Sequence, residues 1–282
     1  MKIALIPNKG KDNGFAVSHA VIDFLSSRGA ELYIEKKYFD DELKSVNVVD
    51  SLTTGLDFIL VIGGDGSVID ASVYAIELDT PMLGVNLGNL GYLADIEPSE
   101  INKLDRLFNG KYSVEERMLL SCSVECDGKR EESERLAMNE VIVSHESYVG
   151  MAKLKLAESN GASVKYRADG LIIATPIGST AYSLSAGGPI VSHDIDSIVA
   201  TPICPHSFFN RSIVFKPDEE LYVENNGKET LNVTVDGRFF TKLPSGGVCK
   251  IKKAKKRLKM ICFSENNMFA TLFGKMKKFE NI

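Results

Sequence analysis

The stretch FILVIGGDGSVID, Phe58 to Asp70, limits what this chain can become more than any other. An apolar run of strand length ends in two glycines, an aspartate, a third glycine and a serine, and then an apolar pattern resumes. Such a continuous run marks a strand buried on both faces, as in a parallel sheet covered by helices. Glycines after it open backbone conformations closed to other residues and let a ligand come close to the chain. Ligands of open parallel sheets lie beyond the carboxyl ends of the strands, where N–H groups at the start of the next helix attract anions. Asp65 is the odd member. Among phosphates a carboxylate is repelled unless it works with a cation or takes a proton from an attacking hydroxyl. The plainer reading makes Asp65 or Ser67 the cap of the following helix.

The flanking sequence agrees with a parallel sheet. KIALIP reads as a buried strand, and FAVSHAVIDFLSS carries Val17, Ala20, Val21, Phe24 and Leu25 at helical spacing before Gly29. ELYIE is strand-like, SVIDASVYAIE suits a helix and PMLGVNLG returns to strand. SEINKLDRLFNG predicts a short closing helix with Ser99 as N-cap and Gly110 as its stop. From about Tyr112 the texture turns to short alternating segments separated by DGK and NG turns, which predicts antiparallel β structure. The expected fold class is therefore α/β plus all-β. A Rossmann-like parallel-sheet domain spans 1–118, and a larger antiparallel β-sandwich domain spans 119–264. A C-terminal tail over 265–282, helical in NNMFATLFGKMKKF, returns to the first domain. A length of 282 residues suits two domains.

Composition removes several function classes. The net charge of -5 with 25% charged residues suggests no polyelectrolyte partner, so nucleic-acid binding is not expected. No apolar run approaches the length of a membrane span, and MKIALIPNKG lacks the build of a secretory signal, so a cytoplasmic protein is expected. The five cysteines form an odd set without C-x-x-C, which fits a reducing compartment and small core fillers. Cys122 and Cys126 share a strand face but lack the further ligands that zinc takes. Neither the Walker pattern nor G-x-G-x-x-G is present, which disfavours a P-loop enzyme and an ordinary Rossmann dehydrogenase.

Two further constellations carry chemistry. Asn139 and Glu140 open the apolar strand NEVIV; an Asn amide pairs with an adenine edge, and a Glu accepts from ribose hydroxyls. The alternative is a polar pair that merely starts a strand. RADGLIIATPIGSTAYSLSAGGPI, Arg167 to Ile190, leads a buried strand into a turn where Ser179 and Thr180 stand at a helix start and Tyr182 offers a stacking face. A capped helix with small residues for close packing is the competing reading. Arg211, near His206 in PICPHSFFNR, is placed to neutralise a diphosphate. His206 itself reads as structural.

With these segments in hand, the chain resembles the NAD kinases, which phosphorylate the 2′-hydroxyl of the adenosine ribose of NAD to give NADP. The motifs that carry the resemblance are Gly63 to Ser67, Asn139 with Glu140, and Asp169 to Pro189. LGVNLGNLGYLADI, PICPHSFFNRSIVF and VDGR at Val235 to Arg238 support it. The resemblance implies that Asp65 orients and deprotonates the ribose hydroxyl while Gly63, Gly64, Gly66 and Ser67 cradle the triphosphate. It implies that Asn139 binds adenine with Tyr92 nearby, and that Glu140 binds ribose hydroxyls. Asp169, Ile177, Thr180, Ala181, Tyr182 and Ser185 would shape the dinucleotide pocket, partly across a subunit boundary, and Asp236 would lie close to the transferred phosphate. Ser67 replaces the commoner Thr, and Ile177 stands where some members have a polar residue. The implied cofactor is Mg²⁺ carried with ATP, with no protein-only metal cage. The implied partners are NAD, ATP or polyphosphate, and further copies of the chain in a homotetramer or dimer. A lipid kinase sharing the GGDG turn and a non-catalytic NAD(P) sensor are the alternatives. The basic run KIKKAKKRLK, the only membrane-docking candidate, reads more simply as a solvated strand pair.

Overall fold

The computed structural model describes residues 1–88, 91–94, 96–126, 129–130, 134–145 and 150–263. The chain divides into two units, Met1–Glu116 with the segment that begins at Leu258, and Arg117–Arg257. The first unit contains β1 (Lys2–Pro7), β2 (Glu31–Glu35), β3 (Asn47–Val49), β4 (Phe58–Gly63), β5 (Met82–Asn86) and β6 (Ser113–Arg117). Its helices are α1 (Ala16–Ser27), α2 (Asp65–Glu77) and α3 (Asp105–Phe108). The strands run β3-β2-β1-β4-β5, each pair parallel. Every residue of β4 and of β5 is buried, as strands covered on both faces must be. Burying each large side chain from Phe58 to Ile62 stabilises the unit by about 1.5–3 kcal/mol. β4 thereby fixes the place of the glycine turn that follows it.

One helix start differs from the sequence expectation. Ser99 does not cap the segment after β5. Glu97 does, in a reciprocal capping box with Glu100, and Pro98 follows at the first turn of a 3-10 helix, Pro98–Leu104, that leads into α3. Gly110 ends the segment at φ 64°, a conformation that favours glycine.

The second unit is a β-sandwich built from β7 (Leu120–Cys126), β8 (Lys129–Arg130), β9 (Arg135–Ala137), β10 (Glu140–His145), β11 (Ala152–Glu158), β12 (Ser163–Ala168) and β13 (Gly170–Ala174). It continues with α4 (Tyr182–Ser185), β14 (Ile198–Ile203), β15 (Ile213–Phe215), β16 (Leu221–Asn225), β17 (Leu231–Val235), β18 (Arg238–Leu243) and β19 (Val248–Lys253). One sheet runs β15-β14-β13-β10-β17-β18, and the other runs β12-β11-β16-β19-β7-β8 with β9 on β7. Leu154, Leu156 and Tyr166 of one sheet share a core with Val141, Leu171, Ile173 and Val233 of the other. On the far face of β10, β13 and β14 a second cluster of Ile142, Ile172, Ala174, Val199 and Ile203 packs with Ala186 and Val191. That cover explains why β13 and β14 are buried throughout, although antiparallel strands usually alternate. The chain bends between sheets at Asp169, so SVKYRADGLIIATP is two strands rather than one.

The last described strand, β20 (Leu258–Cys262), pairs in parallel with β5 through Met260 and Met82, and so belongs to the first unit although its texture suggested the second. The basic run is accordingly no strand pair: β19 lies in one unit and β20 in the other. Four of its lysines are ion-paired, Lys250 and Lys252 with Glu220, Lys253 with Asp196 and Lys259 with Asp79. The expected helical tail lies outside the described residues.

Candidate active site

The glycine turn sits at the carboxyl end of β4. Gly63 closes the strand, Gly64 is the N-cap of α2, and Asp65 is the first residue of that helix. Neither Asp65 nor Ser67 caps it. The Asp65 carboxylate instead accepts the backbone N–H of Tyr92 through Oδ2 at 2.9 Å and that of Leu93 through Oδ1 at 3.2 Å. Gly91 makes this possible, because a Cβ there would stand inside van der Waals contact of Asp65 Oδ1. Ser67 Oγ accepts from Asn8 Nδ2 at 2.7 Å, which ties the loop after β1 to the turn. From the same loop comes Lys11, whose Nζ stands 2.9 Å from the place a Cβ would take on Gly64. The lysine side chain is exposed and forms no ion pair among the described residues. Burial first, and then the nearby Asp65 charge, push the Tyr92 hydroxyl above its usual pKa. One end of the turn thus carries a fixed carboxylate, and Gly64 lies under an ammonium group.

In the second unit Asn139 and Glu140 are both buried where β10 begins. Three groups hold them. Thr175 donates its hydroxyl to Met138 O at 2.6 Å and its backbone N–H to Asn139 O at 2.8 Å, and accepts from Gly178 N at 3.0 Å. Gly178 lies so close to Asn139 O that any Cβ would collide with it. Asp236 supplies the third group, since its Oδ2 accepts from Met138 N and its Oδ1 from Asn139 N and Glu140 N. One oxygen of Glu140, Oε2, is buried with no hydrogen-bond partner among the described residues. Burial first and the Asp236 carboxylate second push Glu140 up to about 7.

The loop after β13 spends part of its hydroxyl set on itself. Ser179 is fully buried, donates to Pro176 O and accepts from Val191 N. Thr180 Oγ1 donates to Ile177 O at 2.9 Å, which leaves its lone pairs free to accept. Ile177 is buried, Ala181 half-buried, and Tyr182 and Ser185 exposed. Asp169 is exposed at the start of β13, whereas Glu140 faces Ala174 at its end, so the strand separates them by about 15 Å. Arg211 is exposed just before β15, and His206, also exposed, donates its backbone N–H to Arg167 O. The fold therefore gathers Asn139, Glu140, Asp236 and Ile177–Thr180, and leaves Asp169 at the far end of the strand. Thr175, Asn8 and Lys11 were given no role from the sequence. For Thr175 the available signal was a hydroxyl closing an otherwise apolar strand. Cys122 meets Cys249, not Cys126, with sulfurs 3.4 Å apart in the core.

The ATP-NAD kinase N-terminal domain model matches residues 3–112, and the ATP-NAD kinase C-terminal domain model matches residues 138–263. The NAD kinase of Caldanaerobacter subterraneus subsp. tengcongensis is 35% identical over 282 residues, covering 98% of each chain. That of Acetivibrio thermocellus is 37% identical over 286 residues, covering 98% of this chain and 97% of its own. Among solved structures, yeast NADH kinase complexed with NADH superposes with a TM-score of 0.84 at 20% identity over 96% of this chain and 86% of its own. An NAD kinase from Archaeoglobus fulgidus in complex with ATP gives 0.75 at 24% identity, over 98% and 99%. Both support the mixed parallel and antiparallel architecture. These matches run through both units: the chain belongs to the NAD kinase family.

Proposed function

We propose that this kinase of the NAD kinase family transfers the terminal phosphoryl group of ATP to the 2′-hydroxyl of the adenosine ribose of NAD through Asp65, with Asn139 and Glu140 holding the nucleoside. The observation that carries the reading is the buried Glu140 oxygen that no described residue satisfies. A buried acceptor without a donor is costly, and ribose hydroxyls are donors of the right kind. Asn139, equally buried beside it, has the paired donor and acceptor that an adenine edge requires.

Asp65 receives the hydroxyl proton as the new bond to phosphorus forms, since an alcohol does not ionise near neutral pH. Its two backbone donors keep the carboxylate in one orientation, and positioning contributes much of the acceleration. Gly63, Gly64 and Gly66 cradle the donor phosphates, with Ser67 anchored by Asn8 beneath them. A single carboxylate in the turn suits Mg²⁺, which keeps waters and substrate phosphates as most of its ligands. Asp65 would be the residue to hold such an ion arriving with ATP, and the ion would supply neutralisation of phosphate charge. Tyr92, Ile177, Thr180, Ala181, Tyr182, Ser185 and Arg211 line the dinucleotide.

Self-association completes the proposal. A second copy of the chain is the proposed source of the Asp169 that meets the dinucleotide held by Glu140, because the Asp169 of the same copy lies at the opposite end of β13. The second unit also exposes Leu184, Ile190, Phe208, Phe209 and Val214. Light scattering on the purified protein tests this, and a monomer at working concentration removes the shared site. Among the described residues no helix is long and apolar enough to cross a membrane. The cytoplasm is the proposed compartment. The deciding assay supplies ATP, Mg²⁺ and NAD and reads the product with an NADP-specific dehydrogenase. Diacylglycerol serves as the control acceptor, and polyphosphate as the alternative donor. NADP formation supports the reading; phosphorylation of the lipid alone overturns it.

A further inference from the structure

Asp236, in the second unit, commits its carboxylate to three backbone donors. It sits in the turn between β17 and β18 with φ 49°, followed by Gly237 at φ 75°, a hairpin geometry that favours Asp or Asn before Gly. The turn folds its side chain back over the start of β10. There it accepts N–H groups from Met138 at 2.8 Å, Asn139 at 2.7 Å and Glu140 at 3.1 Å, and its own N–H donates to Glu140 O at 3.0 Å. An anion already satisfied by three backbone donors is poorly suited to meet a phosphate, which it would repel. We infer that Asp236 is a positioning residue for the nucleoside end of the dinucleotide site. Its carboxylate fixes the backbone from Met138 to Glu140, and its charge sets the field in which Glu140 meets the ribose hydroxyls.

The inference rests on the reading that Asn139 and Glu140 bind adenosine, and it replaces the family-based expectation of Asp236 beside the transferred phosphate. The charged surroundings are few. Asp236 is the charged neighbour of Glu140, and Arg238 on β18 in turn moderates Asp236. On the other side of β10, β13 presents the uncharged Ala174 opposite Glu140. Hydroxyl donors bind a carboxylate more strongly than a carboxylic acid. The specificity constant for NAD therefore rises with pH as Glu140 loses its proton, and the neighbouring charge of Asp236 delays that loss to higher pH.

The test is Asp236→Asn, with initial rates measured across pH 5.5–9 for NAD and for ATP. The KM for NAD is expected to rise about 10-fold with the KM for ATP within about twofold, and the pH inflection of kcat/KM for NAD moves to lower pH. Asp236→Glu, which restores the charge, moves the inflection back even if its KM for NAD stays high. In a Glu140→Gln background the inflection is absent, and Asp236→Asn shifts nothing. A rise confined to the KM for ATP overturns the inference in favour of a phosphate contact. Equal loss for both substrates with an unmoved inflection reduces Asp236 to a structural hairpin residue. Should Asp236→Asn not fold, the inflection of Asp236→Glu against wild type and Glu140→Gln decides. A wild-type protein that makes no NADP fails the functional reading instead, and calorimetric NAD binding across pH then carries the same comparison.

Discussion

The two units treat a carboxylate at a strand end in opposite ways. Asp65 stands half-exposed at the first turn of α2, held by two N–H groups from a loop 27 and 28 residues further on. Glu140 is buried at the start of β10 with an oxygen left unsatisfied, next to an Asp236 that has taken the available donors. A carboxylate with donors and solvent is held in one orientation by the first and open to a reactant through the second. One deprived of both is raised to about 7 and gains most from a ligand that brings donors. The first arrangement suits chemistry, and the second suits recognition.

That contrast meets its severest test at Asp65. Asp65→Asn is expected to cut turnover by about 100- to 10,000-fold, the usual worth of a general base, while the thermal midpoint moves little because the amide oxygen still accepts one N–H. Near-normal turnover would end the chemical role of the turn. Next in size is Gly178→Ala. The new methyl group displaces Asn139 O, and overpacking of this kind costs about 1–3 kcal/mol. Since the clash falls on the nucleoside site, kcat/KM for NAD should fall about 10- to 100-fold with the KM for ATP close to wild type. Equal damage to both constants would show that the two sites are not separable.

Glu140→Gln gives a smaller kinetic effect and a signature in stability. Loss of charged acceptors for ribose raises the KM for NAD about 10-fold. In the unligated protein the raised value of Glu140 means the folded state holds a proton that the unfolded state releases. The associated stability is fully present below pH 4.5 and is lost as pH rises from 4.5 to about 7. Its full extent is about 3 kcal/mol for a group this buried. The variant, which cannot ionise, should therefore match wild type in acid and exceed it at pH 8 in denaturant melts. Parallel curves at all pH values would mean that Glu140 is charged and compensated.

How far the sequence foretells these roles depends on the range of each interaction. The run Phe58–Ile62 announces a buried strand because apolar patterning is local, and the glycines after it announce a turn for the same reason. Glu97 capping its own helix was also within local reach, three residues from Glu100, but Ser99 competed with it as the commoner cap type. What remained hidden were polar bonds between distant residues. Asp65 to Tyr92, Thr175 to Met138 and Asp236 to Asn139 span 27, 37 and 97 residues. Each depends on strand register, which hydrophobic periodicity does not specify across sheets. The β-sandwich texture was legible, but the bend at Asp169 that carries the chain from one sheet to the other, and the transfer of β20 to the first unit, were not. Both follow from long-range pairing.

The smallest expected effect bears on the donor side of the contrast. Lys11 is exposed and stands over Gly64 without an ion-pair partner among the described residues. If the glycine turn holds the triphosphate, the ammonium group adds a point charge to it, and a solvent-screened pair of this kind contributes about 0.2–1 kcal/mol. Lys11→Met should then raise the KM for ATP about 2- to 5-fold at low salt and leave the KM for NAD unchanged. Because the attraction is screened within about 8 Å at physiological ionic strength, the gap between variant and wild type should narrow as salt is added. A gap that stays constant with salt would assign the lysine to packing of the loop. A rise in the KM for NAD instead would move the donor phosphates away from the turn and return the aspartate there to a structural role.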